Sequence, residues 1–507
     1  MLGNAYTSVI NGIDAVSVKV EADISAGFPC FDITGNLGVA VRESRERVRM
    51  AIKNSGIRIV PARMIVNISP ADLRKEGTHY DLAVAVAVLQ AAGIIRQNLC
   101  ENIMFIGELG LNGELRPVRG VLPMVINWCK GGRQMVVLPR ENAMEASYVK
   151  DAKIIPASTL NEVIECIKGN FTEVPFENAK PLQSTEYGMD FADIHGQLSL
   201  KRAIMVAAAS MHNMLMIGPP GAGKTMAAER IPAILPPMTY EQQLELSGIY
   251  SVAGMLKDGV SFVDKRCFRA PHHCITPQAM AGGGNGLMPG EVSLACHGVL
   301  FMDEFNLFST KTVEVLRQPM ESGHILIDRV NGKVEYPADF MLVAAMNPCP
   351  CGNYGSATQP CRCTQKEIAR YLGRISGPLL DRIDMQLEVT AVPVRQITES
   401  APEEPSADIH KRVQAARERQ QKRYAGEGIS CNAELSARQL ETFCPLDDAC
   451  RELLGKACDT YHLSMRAVSR VRKVARTIAD LAGAEEIGRA HLLEALRYRN
   501  LEGNYWK

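Results

Sequence analysis

A glycine-rich segment, GPPGAGKT at residues 218–225, carries the clearest chemical signal in the chain. It follows the apolar run MLMI (214–217) and precedes a helical pattern. Backbone N–H groups of such a loop can surround a β-phosphate at the N-terminus of the next helix. Lys224 can reach the β- and γ-phosphate oxygens, and Thr225 can ligate Mg²⁺. The segment predicts a nucleoside triphosphate site, against the alternative of a chance glycine-rich turn. The predicted nucleotide contacts here are Gly218, Pro219, Pro220, Gly221, Ala222, Gly223, Lys224, Thr225 and Met226.

Two acidic residues end a second apolar segment, GVLFMDEF at 298–305. Asp303 would hold Mg²⁺ through water, and Glu304 would polarise the attacking water. A third apolar segment, FMLVAAMN at 340–347, ends in Asn347, which could orient that water. The alternative for the acidic pair is a strand that ends in a solvated turn. Together the segments predict an α/β ATPase of the additional-strand type, with a parallel sheet and helices on both faces.

Two arginines are candidates for the transition state of phosphoryl transfer. Arg382, in GPLLDRIDM (377–385), can act as an arginine finger toward a neighbouring subunit, which requires an oligomer and usually a ring. Arg466, in LSMRAVSR, can contact a γ-phosphate from the C-terminal helical block. A local salt bridge and a solvated charge are the respective alternatives.

Four cysteines stand in two C-x-C pairs in CPCGNYGSATQPCRC, at Cys349, Cys351, Cys361 and Cys363. Four thiolates on one loop can bind Zn²⁺ tetrahedrally, and a loop with so little apolar content would gain from such a metal. The C-x-C spacing is less usual than C-x-x-C in structural zinc sites. Reduced structural thiols and a redox disulfide therefore stay open as alternatives.

The elements that must position these residues belong to a chain of 507 residues with 56 basic and 56 acidic side chains. A nucleic-acid contact would therefore need a local basic surface. The composition is typical of globular proteins and excludes a disordered tail, a coiled-coil rod and a collagen-like fibre. No apolar run is long enough to span a bilayer, and neither a signal peptide nor a pattern of disulfides is visible. We expect a cytoplasmic protein without membrane contact.

Two segments rich in proline and acidic residues predict linkers at 173–189 and 393–408. They divide the chain into domains at 1–172, 190–392 and 409–507. The first block mixes strand patterns, at 15–20 and 64–68, with a helix pattern at 41–56. The third block is mostly helical.

Several runs resemble the magnesium-chelatase-like branch of the AAA+ ATPases, and the resemblance covers essentially the whole chain. These runs are APHHCIT (270–276), GGGNGLMPGEVSLACHGVLFMDE (282–304), AAMNPCPCG (344–352) and LLDRID (379–384). The N-terminal segments at 28–56 and 67–89 resemble the first domain of the YifB/ComM subfamily. The resemblance implies a Lon-protease-like, ribosomal-S5-like first domain, an AAA+ core and a helical lid.

Roles carried over from the resemblance agree with the spacing of the motifs. It implies Walker A at Gly218–Thr225, Walker B at Asp303 and Glu304, sensor 1 at Asn347, the arginine finger at Arg382 and sensor 2 at Arg466. It also implies that the segment at 190–197, with Ile194 and Gly196, cradles adenine.

The resemblance further implies a function for the chain. It implies a homo-hexameric ring, assembled on ATP and DNA, that uses ATP and Mg²⁺ to promote branch migration during homologous recombination of transforming DNA. The partners would be single-stranded or branched DNA, and a recombinase or other recombination proteins. A magnesium-chelatase-type motor subunit and a protein-remodelling ATPase are the alternatives.

Related rings also carry a hairpin before sensor 1 that points into the central pore. The segment HILIDRVNGKVEYPAD (324–339) reads as such a hairpin, with Asn331 and Gly332 in a type I′ turn. Arg329 and Lys333 would then flank its tip and grip DNA phosphates without reading bases. An ordinary surface hairpin is the alternative.

The first block departs from the Lon-like proteases at both catalytic positions. His79, in RKEGTHYDL, stands where the nucleophilic serine would be, and Leu122 stands where the lysine would be. Acyl transfer lacks its nucleophile and base without them. Thr78 and Ser69 are possible substitutes, but no base is identifiable. We interpret this block as a binding or assembly platform.

Overall fold

The computed structural model describes residues 2–169, 188–256, 262–284, 286–329, 332–355, 359–391, 403–461, 463–499 and 505–506. Most of both predicted linkers lies outside the described residues. The end of the second is folded, because Lys201 and Glu403 form an ion pair of 2.6 Å and a helix begins at Ser406.

The N-terminal unit is built on a seven-stranded mixed sheet with the order β3-β4-β2-β1-β5-β8-β9. A short antiparallel pair, β6 and β7, accompanies it. The strands are β1 (Leu2–Asn11), β2 (Asp14–Ser25), β3 (Cys30–Thr34), β4 (Arg63–Ser69), β5 (Ile103–Phe105), β6 (Glu108–Leu109), β7 (Leu115–Arg116), β8 (Met135–Pro139) and β9 (Lys153–Ala157). The helices are α1 (Val39–Asn54), α2 (Asp81–Ala91), α3 (Val121–Lys130), α4 (Ala143–Ala146) and α5 (Leu160–Ile167).

Helix α2 is the core of this unit, and all of its side chains are buried. Its sequence, DLAVAVAVLQA, is apolar on every face, as expected of a helix enclosed by protein. Asp81 is buried at its start, where Arg47 donates two hydrogen bonds to the carboxylate, at 2.7 and 3.0 Å. The apolar run therefore forms an internal helix, as its length predicts.

The central unit contains a five-stranded, fully parallel sheet with the order β11-β14-β17-β10-β18. Two antiparallel hairpins, β12-β13 and β15-β16, are inserted into it. The strands are β10 (Met214–Ile217), β11 (Phe268–Arg269), β12 (Gly282–Gly283), β13 (Met288–Pro289), β14 (Val299–Met302), β15 (His324–Arg329), β16 (Gly332–Pro337), β17 (Met341–Met346) and β18 (Met385–Glu388). The predicted mixed α/β architecture with a parallel sheet is confirmed.

Both faces of the parallel sheet are covered, because alternate strand residues enter two different cores. Met214 and Met216 join helix α6 and the C-terminal helices, whereas Leu215 and Ile217 join the short helices and the hairpin β15-β16. The helices of this unit are α6 (Leu198–Ser210), α7 (Lys224–Glu229), α8 (Tyr240–Ala253), α9 (Pro277–Ala281), α10 (Glu291–Leu294), α11 (Thr310–Glu314), α12 (Pro319–Ser322), α13 (Gln365–Leu372) and α14 (Gly377–Leu380).

The described residues of the C-terminal unit form helices joined by turns and loops, without a strand. Ser436 and Ser464 cap two of its helices through their side-chain oxygens. Its apolar faces pack on helix α6 and share the core on that face of the parallel sheet. The helices are α15 (Ser406–Arg423), α16 (Ala437–Phe443), α17 (Asp448–Tyr461), α18 (Met465–Ala482) and α19 (Arg489–Arg497).

The hairpin β15-β16 forms where the sequence predicts it, but Gly332 does not belong to its turn. The register pairs Arg329 with Gly332, so Gly332 belongs to the second strand. Residues 330 and 331 lie outside the described residues. Val334 and Tyr336 are buried in a core beside the β1-β2 turn, and this packing sets the register.

The N-terminal unit meets the central unit where α3, which carries Leu122, packs against α8. Leu122 is buried in α3, and its backbone N–H donates to Glu145 at 3.1 Å. The same Glu145 carboxylate accepts a hydrogen bond from the Ser251 hydroxyl of α8. Helix α3 is therefore part of the junction between the units.

His79, at the other position compared with the proteases, is also part of the packed interior. Its ring is buried against Tyr80, with 4.0 Å between ring centroids, and Nε2–H donates to the Ser8 carbonyl oxygen at 2.8 Å. Burial lowers the pKa of His79 to about 4. The histidine is thus neutral in the folded protein at pH values where it is charged in the unfolded chain.

We expect His79 to make stability depend on pH. Its contribution is fully present above the unfolded pKa of about 6.5 and is lost as pH falls toward about 4, with a slope of up to about 1.4 kcal/mol per pH unit. His79→Gln should flatten the profile of unfolding free energy in that window, as measured by urea titration. His324→Gln, at an exposed site, is the control. An unchanged slope in His79→Gln would contradict this assignment.

Candidate active site

The carboxyl ends of three adjacent strands meet at one edge of the parallel sheet. Strand β17 lies between β14 and β10, with Met346 opposite Ile217 and Ala344 opposite Met302. The residues that follow these strands are therefore neighbours in space. The glycine-rich loop, the acidic pair and Asn347 meet there, as the order of the motifs predicts.

The glycine-rich loop after β10 is shaped by backbone conformations that favour glycine. Gly221 and Gly223 have φ values of 76° and 84°. Gly218 has no room for a side chain, because an added Cβ would lie 2.2 Å from the carbonyl oxygen of Val389. Helix α7 begins at Lys224, directly after the loop.

The Lys224 ammonium lies inside this loop. It donates to the carbonyl oxygens of Gly218 and Pro219, at 2.7 and 2.9 Å, and to Asn347 Oδ1 at 3.3 Å. Burial lowers its pKa. These contacts hold the positive charge between the glycine-rich loop and the end of β17, where the phosphates of a nucleotide would lie.

The magnesium candidates contact each other. Thr225 Oγ1 donates to Asp303 Oδ2 at 2.7 Å. A hydroxyl and a carboxylate so placed are typical ligands of a magnesium ion bound with a nucleotide. Glu304 follows at a φ of 49°, a left-handed conformation that is costly for this residue type. Strain of this kind is concentrated at functional sites.

The motifs line a cavity of about 740 Å³ at the end of the sheet. This volume is within the range of small-molecule and cofactor sites. The lining residues are Pro220, Gly221, Ala222, Gly223, Lys224, Thr225, Met226, Glu229, Phe268, Ala270, Pro271, His272, His273, Phe301, Asp303, Glu304, Met346 and Asn347. Its donors and acidic groups fit a triphosphate with Mg²⁺.

His272 and His273 belong to the cavity, although the sequence did not assign them a role. His273 Nδ1 lies 3.5 Å from Glu304 Oε2. Both histidines follow β11, the strand next to β14. Their position after a strand of the parallel sheet is the signal that could have identified them.

Four of the predicted nucleotide contacts are not among the residues that line this cavity. Two of them, Gly218 and Pro219, belong to the glycine-rich loop, and their carbonyl oxygens accept hydrogen bonds from Lys224. The other two are Ile194 and Gly196. Ile194 is buried in the core beneath α6. The backbone N–H of Gly196 donates to Glu403 Oε1 at 2.6 Å, so this donor already has a partner. The structure thus does not bring Ile194 and Gly196 to the cavity lining with Lys224.

Arg382 and Arg466 also lie outside the cavity, and both contact one carboxylate. Arg382 is buried, with its guanidinium 2.7 Å from Glu321 Oε1 and hydrogen-bonded to the Pro378 carbonyl oxygen at 2.6 Å. The Arg466 guanidinium lies 3.4 Å from the same Glu321 oxygen. The structure therefore brings the two arginines together at Glu321, and neither is among the residues that line the cavity.

The remaining predicted site residues lie on the hairpin β15-β16 and on the loop with the C-x-C pairs. Arg329 and Lys333 are exposed near the end of the hairpin β15-β16. The four cysteines of the C-x-C pairs come together beside Asn347. In the part of the chain that the structure describes, no helix is long and apolar enough to cross a membrane.

Three family models match the chain. They are "Magnesium chelatase, subunit ChlI" at residues 190–397, "Subunit ChlI of Mg-chelatase" at 20–142 and "Magnesium chelatase, subunit ChlI C-terminal" at 403–499. Competence protein ComM of Haemophilus influenzae is 40% identical over 98% of this chain and 97% of its own length. YifB of Salmonella typhimurium is 39% identical over 99% and 97%. The chain belongs to the YifB/ComM subfamily of magnesium-chelatase-like AAA+ ATPases.

This YifB/ComM membership agrees with the geometry of the cavity. The AAA+ family implies ATP and Mg²⁺ as cofactors, and Lys224, Thr225 and Asp303 line one cavity. The likeness to the magnesium-chelatase 38 kDa subunit of Rhodobacter capsulatus is more distant, at 25% identity over 31% of this chain and 50% of that protein.

We expect Glu304→Gln to bind ATP with nearly unchanged affinity and to hydrolyse it about 100-fold more slowly or worse, because the amide cannot act as a general base. Steady-state ATPase assays and calorimetric titration with an ATP analogue measure the two effects. Glu229→Gln, an exposed glutamate in the same cavity, is the matched control. Comparable turnover in Glu304→Gln and Glu229→Gln would contradict the assignment of the base.

Proposed function

We propose that this protein is an ATP-driven motor that acts on DNA as a homo-hexameric ring and promotes branch migration during recombination of transforming DNA. The observation that carries the proposal is that the predicted ATPase residues fall into two groups that lie apart in one chain. The phosphate loop, Asp303, Glu304 and Asn347 share one cavity, whereas Arg382 and Arg466 lie together elsewhere. A nucleotide site of this kind is completed by a second copy of the chain.

In the proposed hydrolysis, one chain binds ATP with Mg²⁺ and accepts the proton of the attacking water. Lys224 holds the β- and γ-phosphate oxygens, and Thr225 with Asp303 binds Mg²⁺. Glu304 accepts the proton of the attacking water, which Asn347 orients. His273, 3.5 Å from Glu304, is placed to set the direction of that carboxylate.

The neighbouring chain supplies positive charge for the transition state. Glu321 contacts both guanidinium groups and so keeps Arg382 and Arg466 next to each other. Two guanidinium groups that approach a γ-phosphate would neutralise the charge that develops during transfer. This arrangement supports a closed ring, in which each chain serves the site of the next.

DNA contact is proposed for the hairpin β15-β16. Its strands are anchored by buried Ile325, Ile327 and Val334, whereas Arg329 and Lys333 remain exposed. Basic side chains on an anchored hairpin suit phosphate contacts that do not depend on base sequence. The name of the similar competence protein ComM supports a DNA substrate in transformation.

The N-terminal unit is proposed as a Lon-like platform for assembly or binding. His79 and Leu122 are buried, and neither is available as a nucleophile or base. The contact between Glu145 and Ser251 attaches this unit to the ATPase core. Its recombination partners, including a recombinase, would bind its outer surface.

We expect Arg382→Ala and Lys224→Ala each to abolish ATPase activity, with ATP binding largely retained in Arg382→Ala. A one-to-one mixture of the two should regain about a quarter of wild-type activity, since that share of interfaces pairs an intact Lys224 with an intact Arg382. Arg370→Ala, at an exposed position, is the control. A mixture that stays inactive would show that Arg382 does not act in trans.

We expect single-stranded and forked DNA to stimulate the ATPase several-fold, and the double variant Arg329→Ala/Lys333→Ala to lose this stimulation. Lys456→Ala, an exposed lysine of α17, should retain it. Strand transfer on a labelled four-way junction tests branch migration. Activity indifferent to DNA but stimulated by a porphyrin and partner subunits, or by an unfolded protein, would replace this proposal with a chelatase or remodelling function.

A further inference from the structure

The four cysteines of the C-x-C pairs form one cluster, and we call it the thiol cluster. All four Sγ atoms lie within 4.8 Å of one another. Cys349 Sγ is 3.3 Å from Cys351 Sγ and 3.7 Å from Cys361 Sγ, and the latter two are 3.6 Å apart.

These separations fit a shared metal. Four thiolates at about 2.3 Å from a tetrahedral Zn²⁺ lie about 3.8 Å apart, whereas disulfide sulfurs are about 2.05 Å apart. A harder ion such as Mg²⁺ prefers oxygen ligands. Among the alternatives left open by the sequence, the geometry favours zinc over both a disulfide and separate thiols.

The loop that carries the thiol cluster needs such a constraint. Its described residues between Cys349 and Thr364 form no helix or strand. Cys349 is fully buried, and the backbone N–H of Tyr354 donates to its sulfur at 3.3 Å. A backbone donor to a ligand sulfur is the kind of contact that supports a metal thiolate.

The loop that carries the thiol cluster also contacts the phosphate loop. Cys349 follows Asn347 after one residue, and Gly352 packs directly on Pro220. A Cβ added to Gly352 would lie 2.6 Å from Pro220 Cδ, and the φ of Gly352 is 81°. Pro220 lines the nucleotide cavity, and Gly352, which contacts it, directly follows Cys351 of the thiol cluster.

We propose that Cys349, Cys351, Cys361 and Cys363 bind one structural Zn²⁺, and that this metal holds the chain after Asn347 against the phosphate loop. Four protein ligands leave no open coordination position, so the zinc takes no part in hydrolysis. The coupling to nucleotide rests on the proposed ATPase site, whereas zinc binding does not.

Metal analysis of the full chain tests zinc binding directly. Protein purified without chelator should contain one zinc per chain by mass spectrometry of the metal, and a mercurial reagent should release it. Cys351→Ser and Cys361→Ser should lose it, whereas Cys30→Ser, in the N-terminal sheet, should keep it. If the serine variants fail to fold, Co²⁺ loading of the wild-type protein gives the tetrahedral thiolate absorption bands.

Wild-type protein that contains no zinc, and takes up neither Zn²⁺ nor Co²⁺ under reducing conditions, would overturn the proposal. Intact-mass detection of a disulfide among the four cysteines in freshly purified protein would also overturn it. Neither result depends on ATP hydrolysis, so failure of the zinc site and failure of the proposed motor can be distinguished.

Gly352→Ala tests the coupling. It should retain one zinc per chain but bind an ATP analogue about five-fold more weakly or worse, because its methyl group would displace Pro220. Gly355→Ala is the matched control. Gly355 has a similar φ of 76°, but the nearest atom to its added Cβ would be 3.8 Å away. Equal affinity in the two variants would overturn the coupling and leave the zinc measurement unaffected.

Discussion

The parallel pairing of β10, β17 and β14 is the constraint on which the active site depends. Every residue of the three strands is buried, so the strands cannot shift without exposing apolar side chains. Since all three run in the same direction, their polar carboxyl ends must meet at one edge. The hydrogen bonds from Thr225 to Asp303 and from Lys224 to Asn347 then connect three segments that are far apart in sequence.

A second constraint fixes the helical unit to the sheet. Asp384 is buried, accepts from the backbone N–H of Asn213 at 2.8 Å and pairs with Arg470 of α18 at 2.7 Å. Burial raises the pKa of Asp384, but Arg470 and His212 outweigh this effect and hold it well below its usual range. Arg382 stands two residues earlier, so the segment that anchors the C-terminal helices also places the proposed arginine finger.

The N-terminal unit is held together by packing at the two positions that the sequence comparison with Lon-like proteases singled out. His79 and Leu122 are both buried inside the unit. Burial keeps His79 neutral, and the backbone of Leu122 belongs to the junction with the ATPase core. The unit therefore contributes a surface and an attachment, which agrees with a platform in an assembly.

Local spacing in the sequence was enough to identify the phosphate loop, the strand at Met214–Ile217 and the internal helix α2, and resemblance of longer runs identified the family. These features depend on residues that are neighbours along the chain, where turn chemistry and apolar periodicity decide conformation. Only the tertiary structure shows that Glu321 contacts both Arg382 and Arg466. It also shows that Glu403 accepts a hydrogen bond from the Gly196 backbone N–H, and that His273 lies beside Glu304. It decided as well that Gly332 pairs with Arg329 in the hairpin and that four cysteines lie within reach of one metal. Such contacts depend on side-chain directions set by packing between distant segments, which no local pattern encodes.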